Sequence, residues 1–149
     1  MSERKNYDPK NHTAEHILNQ TMARKFNRGR SFSAHIEKKK SKCDYHFDRN
    51  LTDKEINEIE TQVNQVISSE LPIIEEFYSR SEAEKKFNLE KLPEEAGDKI
   101  RIIRVGDYDA CPCIGEHVTN TKEIGRFNII STSYENGVLR IRFKVNAKD

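Results

Sequence analysis

Two pairs of residues that readily bind metals, each with a spacing of four, lie near opposite ends of the 149-residue sequence. The first pair is His12 and His16, and the second pair is Cys113 and His117. On a helix, residues four apart share one face, so the two histidines can bind the same ion. Three imidazoles and one thiolate form a tetrahedral set of ligands that suits zinc. The sequence therefore predicts a zinc ion that joins the start of the folded chain to a segment near its end.

The Cys113 and His117 pair strengthens the evidence that His12 and His16 bind a metal. A single HxxxH pattern is weak evidence, since histidines on helices are commonly core or surface residues. Cys113 follows Pro112 and lies close to Gly115, in a tight segment of the kind that presents side chains to a site. Three roles are open to the neighbouring Cys111: a ligand in place of Cys113, a contact behind the ligands, or a small hydrophobic residue. We favour the last of these roles.

Two carboxylates accompany the metal-binding pairs. Glu15 directly precedes His16, and Glu116 directly precedes His117. Either carboxylate could take a proton from a water at the metal as a general base, accept an imidazole N–H, or bind a cationic group of a substrate. The alternative is that both side chains face solvent. We treat Glu15 and Glu116 as candidate catalytic residues.

Basic residues cluster over 24–30 and again over 38–42. They are candidate contacts to the phosphates of a nucleic acid. A solvated rim explains the charge equally well, and neither cluster has the interleaved aromatic residues of a stacking platform. The formal net charge of +1 neither requires nor excludes such a partner. The candidate tRNA-binding residues are Arg24, Arg28, Arg30, Lys39 and Lys40.

The composition is that of a small domain with a heavily charged surface. Hydrophobic and charged residues each make up 34% of the chain, which favours one domain over 1–149 with a modest core. The first ten residues read as a polar arm without the apolar core of a signal peptide. No apolar run approaches the roughly 20 residues of a membrane span. The three cysteines do not form a disulfide framework. We expect a cytoplasmic protein without a membrane partner, and its oligomeric state stays open.

Helices and strands alternate without a βαβ rhythm. Asn11 is the expected N-cap of a helix from Thr13 to about Lys25. Thr52 and Glu55 form a capping box that opens a helix to about Glu70. Further elements are expected as follows: strands over 31–37, 43–48, 71–78 and 100–105, a short helix from 81, a loop over 89–97, and a hairpin of 127–131 with 138–145. The predicted fold class is therefore α+β, a two-layer arrangement of a mostly antiparallel sheet packed with helices.

The paired motifs resemble the zinc-dependent editing domain shared by alanyl- and threonyl-tRNA synthetases and by free-standing alanyl-tRNA editing proteins. That family carries an HxxxH helix early and a CxxxH segment late. The stretch from 117 to 127, with its Asn-Thr and Ile-Gly steps, is similar to the family's continuation after the last ligand. The helix over 52–67, with Glu60 and Asn64, is similar to its middle helix. The resemblance extends from about residue 11 to 145.

The resemblance implies a zinc-dependent hydrolase that removes a wrong amino acid from the acceptor end of a misacylated tRNA. In the alanyl branch the error is serine or glycine on the alanine tRNA, and in the threonyl branch it is serine on the threonine tRNA. A synthetase catalytic domain does not fit in 149 residues, so we expect editing in trans. The alternatives are a zinc-stabilised tRNA-binding module without catalysis, a hydrolase of another small ester or amide, and a purely structural zinc protein.

The sequence departs from the family pattern beside the metal-binding residues. The alanyl branch usually has Gly-Gly-Thr between the cysteine and the last histidine, where this chain has Ile114, Gly115 and Glu116. The first motif often has threonine where Glu15 stands. One hypothesis is that these extra carboxylates bind the α-ammonium group of the substrate. Because the four candidate ligands match the family pattern, these differences leave the metal site better supported than the identity of the removed amino acid.

Overall fold

The computed structural model describes residues 8–87, 89 and 98–146. Most of the predicted N-terminal arm and of the predicted loop over 89–97 lies outside these residues. Within the described ranges, no helix is both long enough and apolar enough to cross a membrane. The helices are α1 (Pro9–Phe26), α2 (Asp53–Ser68), α3 (Arg80–Lys86) and a 3₁₀ turn (Thr121–Ile124). The strands are β1 (Ser33–His35), β2 (Ser41–His46), β3 (Ile73–Ser79), β4 (Lys99–Val105), β5 (Asp109–Pro112), β6 (Arg126–Glu135) and β7 (Val138–Asn146).

The strands form two antiparallel sheets. One sheet has the order β1-β2-β7-β6, and the other has the order β3-β4-β5. The α+β class with antiparallel strands and packed helices is therefore confirmed. The β6–β7 turn has positive φ at both Asn136 (51°) and Gly137 (82°), as the predicted type I′ hairpin requires.

Helix α1 begins earlier than the sequence indicated. The Asp8 carboxylate accepts the backbone N–H of Asn11 at 3.1 Å, so Asp8 is the N-cap. Pro9 occupies the first turn, where its missing N–H and fixed φ are favourable. The prediction of Asn11 as N-cap, with a polar arm through residue 10, is wrong for this reason. The buried face of α1 packs into the main core through Ala14, Ile17, Leu18 and Met22.

Helix α2 packs on the four-stranded sheet and protects its edge. The predicted capping box is confirmed, since the Thr52 side chain accepts the Glu55 N–H and Glu55 accepts the Thr52 N–H. The Asn64 side chain bonds both the N–H and the C=O of Phe127, each at 2.9 Å. Glu60 accepts the backbone N–H of Ile129 at 2.7 Å. These side chains satisfy backbone groups of β6 that an edge strand would leave unpaired.

The core lies between α1, α2 and the four-stranded sheet. Its largest fully buried aromatic side chains are Tyr45, Phe127 and Phe143. Val105, at the end of β4, also belongs to this core, so the smaller sheet packs against it there. The other end of β4 packs with α3 in a separate cluster around Ala83. This arrangement places the start of α1 beside the segment that follows β5.

Candidate metal centre

The four predicted ligands converge where α1 meets the loop after β5. One donor atom from each of His12, His16, Cys113 and His117 lies within 4.8 Å of the others. The Cys113 Sγ is 3.4 Å from Nε2 of His12 and 3.5 Å from Nε2 of His117. Tetrahedral zinc, with its usual bond lengths to sulfur and nitrogen, separates the two donors by about 3.5 Å. The chemistry and the spacing of this donor set therefore fit a zinc ion.

The outer nitrogen of two imidazoles is held by the chain itself. The Nδ1 of His12 lies 3.2 Å from the backbone oxygen of Glu116. The Nδ1 of His117 lies 2.9 Å from the hydroxyl oxygen of Thr13, which also accepts the Val118 N–H at 3.2 Å. In the tautomer that donates through Nδ1, each ring leaves Nε2 as the metal donor. Thr13 thus links the first motif to the second.

The third imidazole faces a buried carboxylate. The Nδ1 of His16 lies 3.5 Å from Oδ2 of Asp109, whose side chain is fully buried. Arg30 donates to both Asp109 oxygens, at 2.7 and 3.3 Å, and Gln20 donates to one of them at 2.9 Å. Burial disfavours the charged carboxylate, but His16 and Arg30 hold the pKa of Asp109 well below its usual range. Asp109 therefore faces the Nδ1 side of His16 as a charge partner, and that nitrogen makes no hydrogen bond with the described residues.

Protonation at Cys113 and His117 favours metal binding, whereas contacts with Asp109 and Cys113, acting against burial, raise the pKa of His16 well above its usual value. Burial alone would raise the pKa of Cys113, yet the contacts of its sulfur with the imidazoles of His117, His12 and His16 lower that pKa to about 2. Burial lowers the pKa of His117 to about 3. Thiolate and neutral imidazole are the forms that coordinate metal ions. The backbone N–H of Gly115 also donates to the Cys113 sulfur, at 3.5 Å.

The ligand loop is fixed by a close contact and by an arginine. A Cβ atom at Gly115 would lie 2.3 Å from Cε1 of His12, so this position accepts only glycine without displacing the ring. Arg101 donates to the backbone oxygens of Cys113 and Gly115, at 3.1 and 2.7 Å. Its Nε donates to Glu75 at 2.6 Å. Sequence reasoning missed Arg101, for which the only signal was a charged residue within an apolar strand.

The two candidate carboxylates have different surroundings. The Glu15 Oε1 lies 3.7 Å from Nε2 of His12, and its side chain is 13% exposed. Its other oxygen accepts Asn19 Nδ2 at 3.3 Å. Glu116 is exposed, and its contact with His12 is made by its backbone oxygen. Glu15 therefore borders the four ligands through its carboxylate, whereas Glu116 does so through its main chain.

Cys111 lies close to the ligands without joining their cluster. Its thiol donates to the backbone oxygen of Pro112 at 3.4 Å. Burial raises the pKa of Cys111, the reverse of the shift at Cys113. The described metal-binding cluster contains Cys113 and not Cys111. Cys111 is half-buried, and its role as a small packing residue stays a prediction.

The three candidate arginines already have protein partners. Arg24 lies over the Tyr108 ring, 4.2 Å from its centroid, and donates to the Tyr108 backbone oxygen at 2.8 Å. Arg28 pairs with Asp48 at 3.1 Å on the surface. Arg30 makes the forked contact with Asp109 described above. Arg30 therefore contacts the carboxylate that faces His16, and its contact with tRNA stays a prediction.

The two candidate lysines lie in a turn next to the start of α1, where Asn11 donates to the backbone oxygen of Lys38. Lys39 and Lys40 are exposed in the turn between β1 and β2. Their side chains are free to reach an anionic partner through their long, flexible stems. A contact with tRNA phosphates stays a prediction for these residues.

Comparison with known proteins finds a family model that includes the second half of this site. Residues 100–142 match the family model of the threonyl and alanyl tRNA synthetase second additional domain. This range includes Cys113 and His117 and runs from β4 into β7. Over these residues the chain is therefore similar to the synthetase domain that its motifs resemble.

The relatives narrow the resemblance to the alanyl branch. The chain is 37% identical over 134 residues to the alanine–tRNA ligase of Fervidobacterium nodosum, covering 89% of this chain and 16% of the relative. It is 35% identical over 139 residues to that of Methanothrix thermoacetophila, covering 90% and 15%. It is 35% identical over 141 residues to that of Aeropyrum pernix, also covering 90% and 15%. The chain thus spans about a sixth of the length of these relatives.

Proposed function

We propose that this protein is an aminoacyl-tRNA deacylase that removes serine or glycine from misacylated alanine tRNA. The observation that carries the proposal is the convergence of His12, His16, Cys113 and His117 in a domain related to alanine–tRNA ligases. The names of those relatives supply the alanine tRNA of this proposal, and the family resemblance supplies serine and glycine. We further propose that it acts in trans, on tRNA charged by a separate synthetase in the cytoplasm.

The four ligands would hold a zinc ion as the cofactor. When bound, zinc would supply Lewis-acid chemistry and would orient the ester or the terminal adenosine. The chain supplies the rigidity of the site: the Thr13 hydroxyl and the Glu116 carbonyl contact two of the imidazoles at Nδ1, and the Asp109 carboxylate faces the third. A labile ester that is held in one orientation needs little further activation, so positioning contributes much of the proposed catalysis.

Glu15 and Glu116 are the proposed catalytic carboxylates. Glu15 has the stronger support, since its Oε1 lies 3.7 Å from Nε2 of His12. Glu116 is exposed next to the ligand His117, where its carboxylate is accessible to substrate or water. Replacing each glutamate by glutamine shows how much each carboxylate contributes to deacylation. We expect the larger loss from Glu15→Gln.

The acceptor end of the tRNA is the proposed partner. Phosphate contacts by Arg24, Arg28, Lys39 and Lys40 would add salt-dependent affinity without reading sequence. The pairing of Arg30 with Asp109 at 2.7 Å gives that residue a mainly supporting role. Charge reversal at Lys39 and Lys40 should raise KM for tRNA and leave hydrolysis of a small aminoacyl ester unchanged.

A panel of charged tRNAs tests the proposal. The zinc-loaded protein is incubated with alanine tRNA carrying serine, glycine or alanine, and release of amino acid is followed over many turnovers. We expect serine and glycine to be released much faster than alanine. Binding without turnover would identify a tRNA-binding module, and equal release of all three amino acids would exclude editing.

A second candidate is an editor of serine on threonine tRNA. The matching family model covers threonyl as well as alanyl tRNA synthetases, which favours including this substrate. Serine on threonine tRNA is therefore one arm of the same panel. Faster release from threonine tRNA than from alanine tRNA would assign the chain to this second function.

A further inference from the structure

A buried amide fixes the carboxylate that borders the metal centre. Asn19 lies one helical turn after Glu15 on α1, is 3% exposed, and donates from Nδ2 to Glu15 Oε2 at 3.3 Å. Its Oδ1 accepts the backbone N–H of Ser31 at 3.0 Å and the hydroxyl of Tyr45 at 2.8 Å. Three elements therefore meet at this side chain: α1, the segment before β1, and β2.

The orientation of this amide is determined by its partners. A backbone N–H can only donate, so the Asn19 atom that faces Ser31 must be the oxygen. The nitrogen is consequently the atom that faces Glu15. The buried hydroxyl of Tyr45 then donates to the same oxygen and holds the amide in this orientation. Asn19 thus presents a fixed donor to one oxygen of Glu15.

This arrangement leaves one carboxylate oxygen directed at the site. Asn19 holds Oε2, while Oε1 lies 3.7 Å from Nε2 of His12, the nitrogen that also faces the Cys113 sulfur. An ionised carboxylate accepts several hydrogen bonds, so Oε1 retains capacity for a donor from a substrate. A fixed negative charge at this border selects a positively charged donor over a neutral one.

We propose that Glu15 binds the α-ammonium group of the aminoacyl ester and that Asn19 is the positioning residue that holds Glu15 for this contact. The inference rests on the proposed deacylase function and adds how the substrate is oriented. A single carbon separates the α-ammonium from the ester carbonyl. An ammonium bound at Glu15 therefore places the carbonyl beside the four metal ligands.

Acetylation of the substrate provides the test. N-acetylation removes the positive charge of the amino group and keeps the ester, the tRNA and the serine side chain. We compare kcat/KM for alanine tRNA carrying serine with kcat/KM for the same tRNA carrying N-acetylserine. We expect the unmodified enzyme to prefer the free amine by about 10- to 100-fold, the range for a hydrogen bond to a charged group.

Three variants separate positioning from folding. Glu15→Gln keeps the shape of a partly exposed side chain, and we expect its preference for the free amine to fall close to one. Asn19→Ala should reduce the preference to an intermediate value, mainly through a higher KM for the unacetylated substrate. Asn64→Ala is the matched control, because this helical asparagine also bonds backbone groups of another segment, those of Phe127, but has no hydrogen bond with Glu15. Its preference should equal that of the unmodified protein.

The outcomes distinguish the inference from the function on which it rests. A Glu15→Gln enzyme that hydrolyses both esters with the unmodified preference would overturn the ammonium site and leave deacylation intact. An Asn19→Ala enzyme with full preference would remove Asn19 from the positioning role. Failure of the unmodified, zinc-loaded protein to hydrolyse either ester would remove the function and the inference together.

Discussion

Gly115 and His12 come from opposite ends of the chain and pack so closely that a Cβ atom at Gly115 would lie 2.3 Å from Cε1 of His12. The Gly115 backbone also donates to the Cys113 sulfur and accepts from Arg101. The ligand loop can therefore lie flat against the first histidine. The contact makes Gly115 a requirement of the metal centre rather than of the backbone conformation.

Alanine at Gly115 should weaken zinc binding by about 10- to 100-fold, the usual effect of disturbing a residue that orients a ligand. The added methyl group has to displace the His12 ring or the loop, and either change spoils the tetrahedral set. Competition with a chromophoric chelator measures the affinity. Gly137→Asn is the control, since Gly137 has open space around it and asparagine tolerates its positive φ. Unchanged affinity in Gly115→Ala would contradict the close contact.

Replacing Thr13 by valine should cost zinc affinity, whereas serine should preserve it. Valine has nearly the same shape but lacks the oxygen that faces His117 and accepts the Val118 N–H. We expect a loss of about 10- to 100-fold for Thr13→Val, measured by the same chelator competition. Thr13→Ser retains the hydroxyl and controls for the lost methyl contacts. Equal affinities of the two variants would show that the hydroxyl has no role.

Arg101 and Arg104 provide a matched pair in one strand. Both pair with a glutamate of β3, but only Arg101 also donates to the ligand loop. Arg101→Met should lower zinc affinity and slow deacylation, and Arg104→Met should leave both unchanged. Calorimetric titration with zinc measures the zinc affinity of each variant. Similar losses of zinc affinity in the two variants would mean that the substitutions act through β4 and not through the ligand loop.

Acid should weaken the start of α2 through Glu55. Hydrogen bonds from Arg49 and from the Thr52 backbone lower the pKa of Glu55 from 4.5 to about 2. A lowered folded-state pKa stabilises the protein fully above pH 4.5, and this stabilisation is lost as pH falls toward 2. The difference in unfolding free energy between the unmodified protein and Glu55→Gln should therefore shrink across that interval.

Urea unfolding at several pH values measures this difference. Both proteins keep the same four candidate metal ligands, so the comparison isolates the carboxylate. Thr52→Ala removes the other half of the capping box and should cost about 1 kcal/mol at neutral pH. If the unfolding free energies of the unmodified protein and of Glu55→Gln differ by the same amount from pH 6 to pH 2, then Glu55 is not stabilised in its charged form.

Removal of the metal should destabilise the fold as well as abolish activity. The proposed ion would connect α1 to the loop after β5, so its binding energy adds to folding. We expect chelation to lower the melting temperature of the unmodified protein and to leave that of Cys113→Ala unchanged. Thermal unfolding with and without chelator measures this. An equal decrease in both proteins would mean that the chelator acts elsewhere.

The sequence by itself determined the ligand set and most elements. The HxxxH and CxxxH spacings indicated the four candidate ligands that the fold brings together, because each residue type has its own coordination chemistry. Local rules also predicted the capping box at Thr52 and the type I′ turn at Asn136, since both depend on residues next to each other in the chain. The Asp8 cap was missed because Pro9 moved the start of the helix.

The tertiary structure alone decided what holds those ligands in place. Thr13, Asp109 and Arg101 act on ligands contributed by other segments, and no periodicity or motif relates residues that are so far apart in sequence. It also distinguished Glu15, whose carboxylate borders the site, from Glu116, whose main chain does. Such roles depend on which atoms packing brings within hydrogen-bond distance, and only the folded chain specifies that.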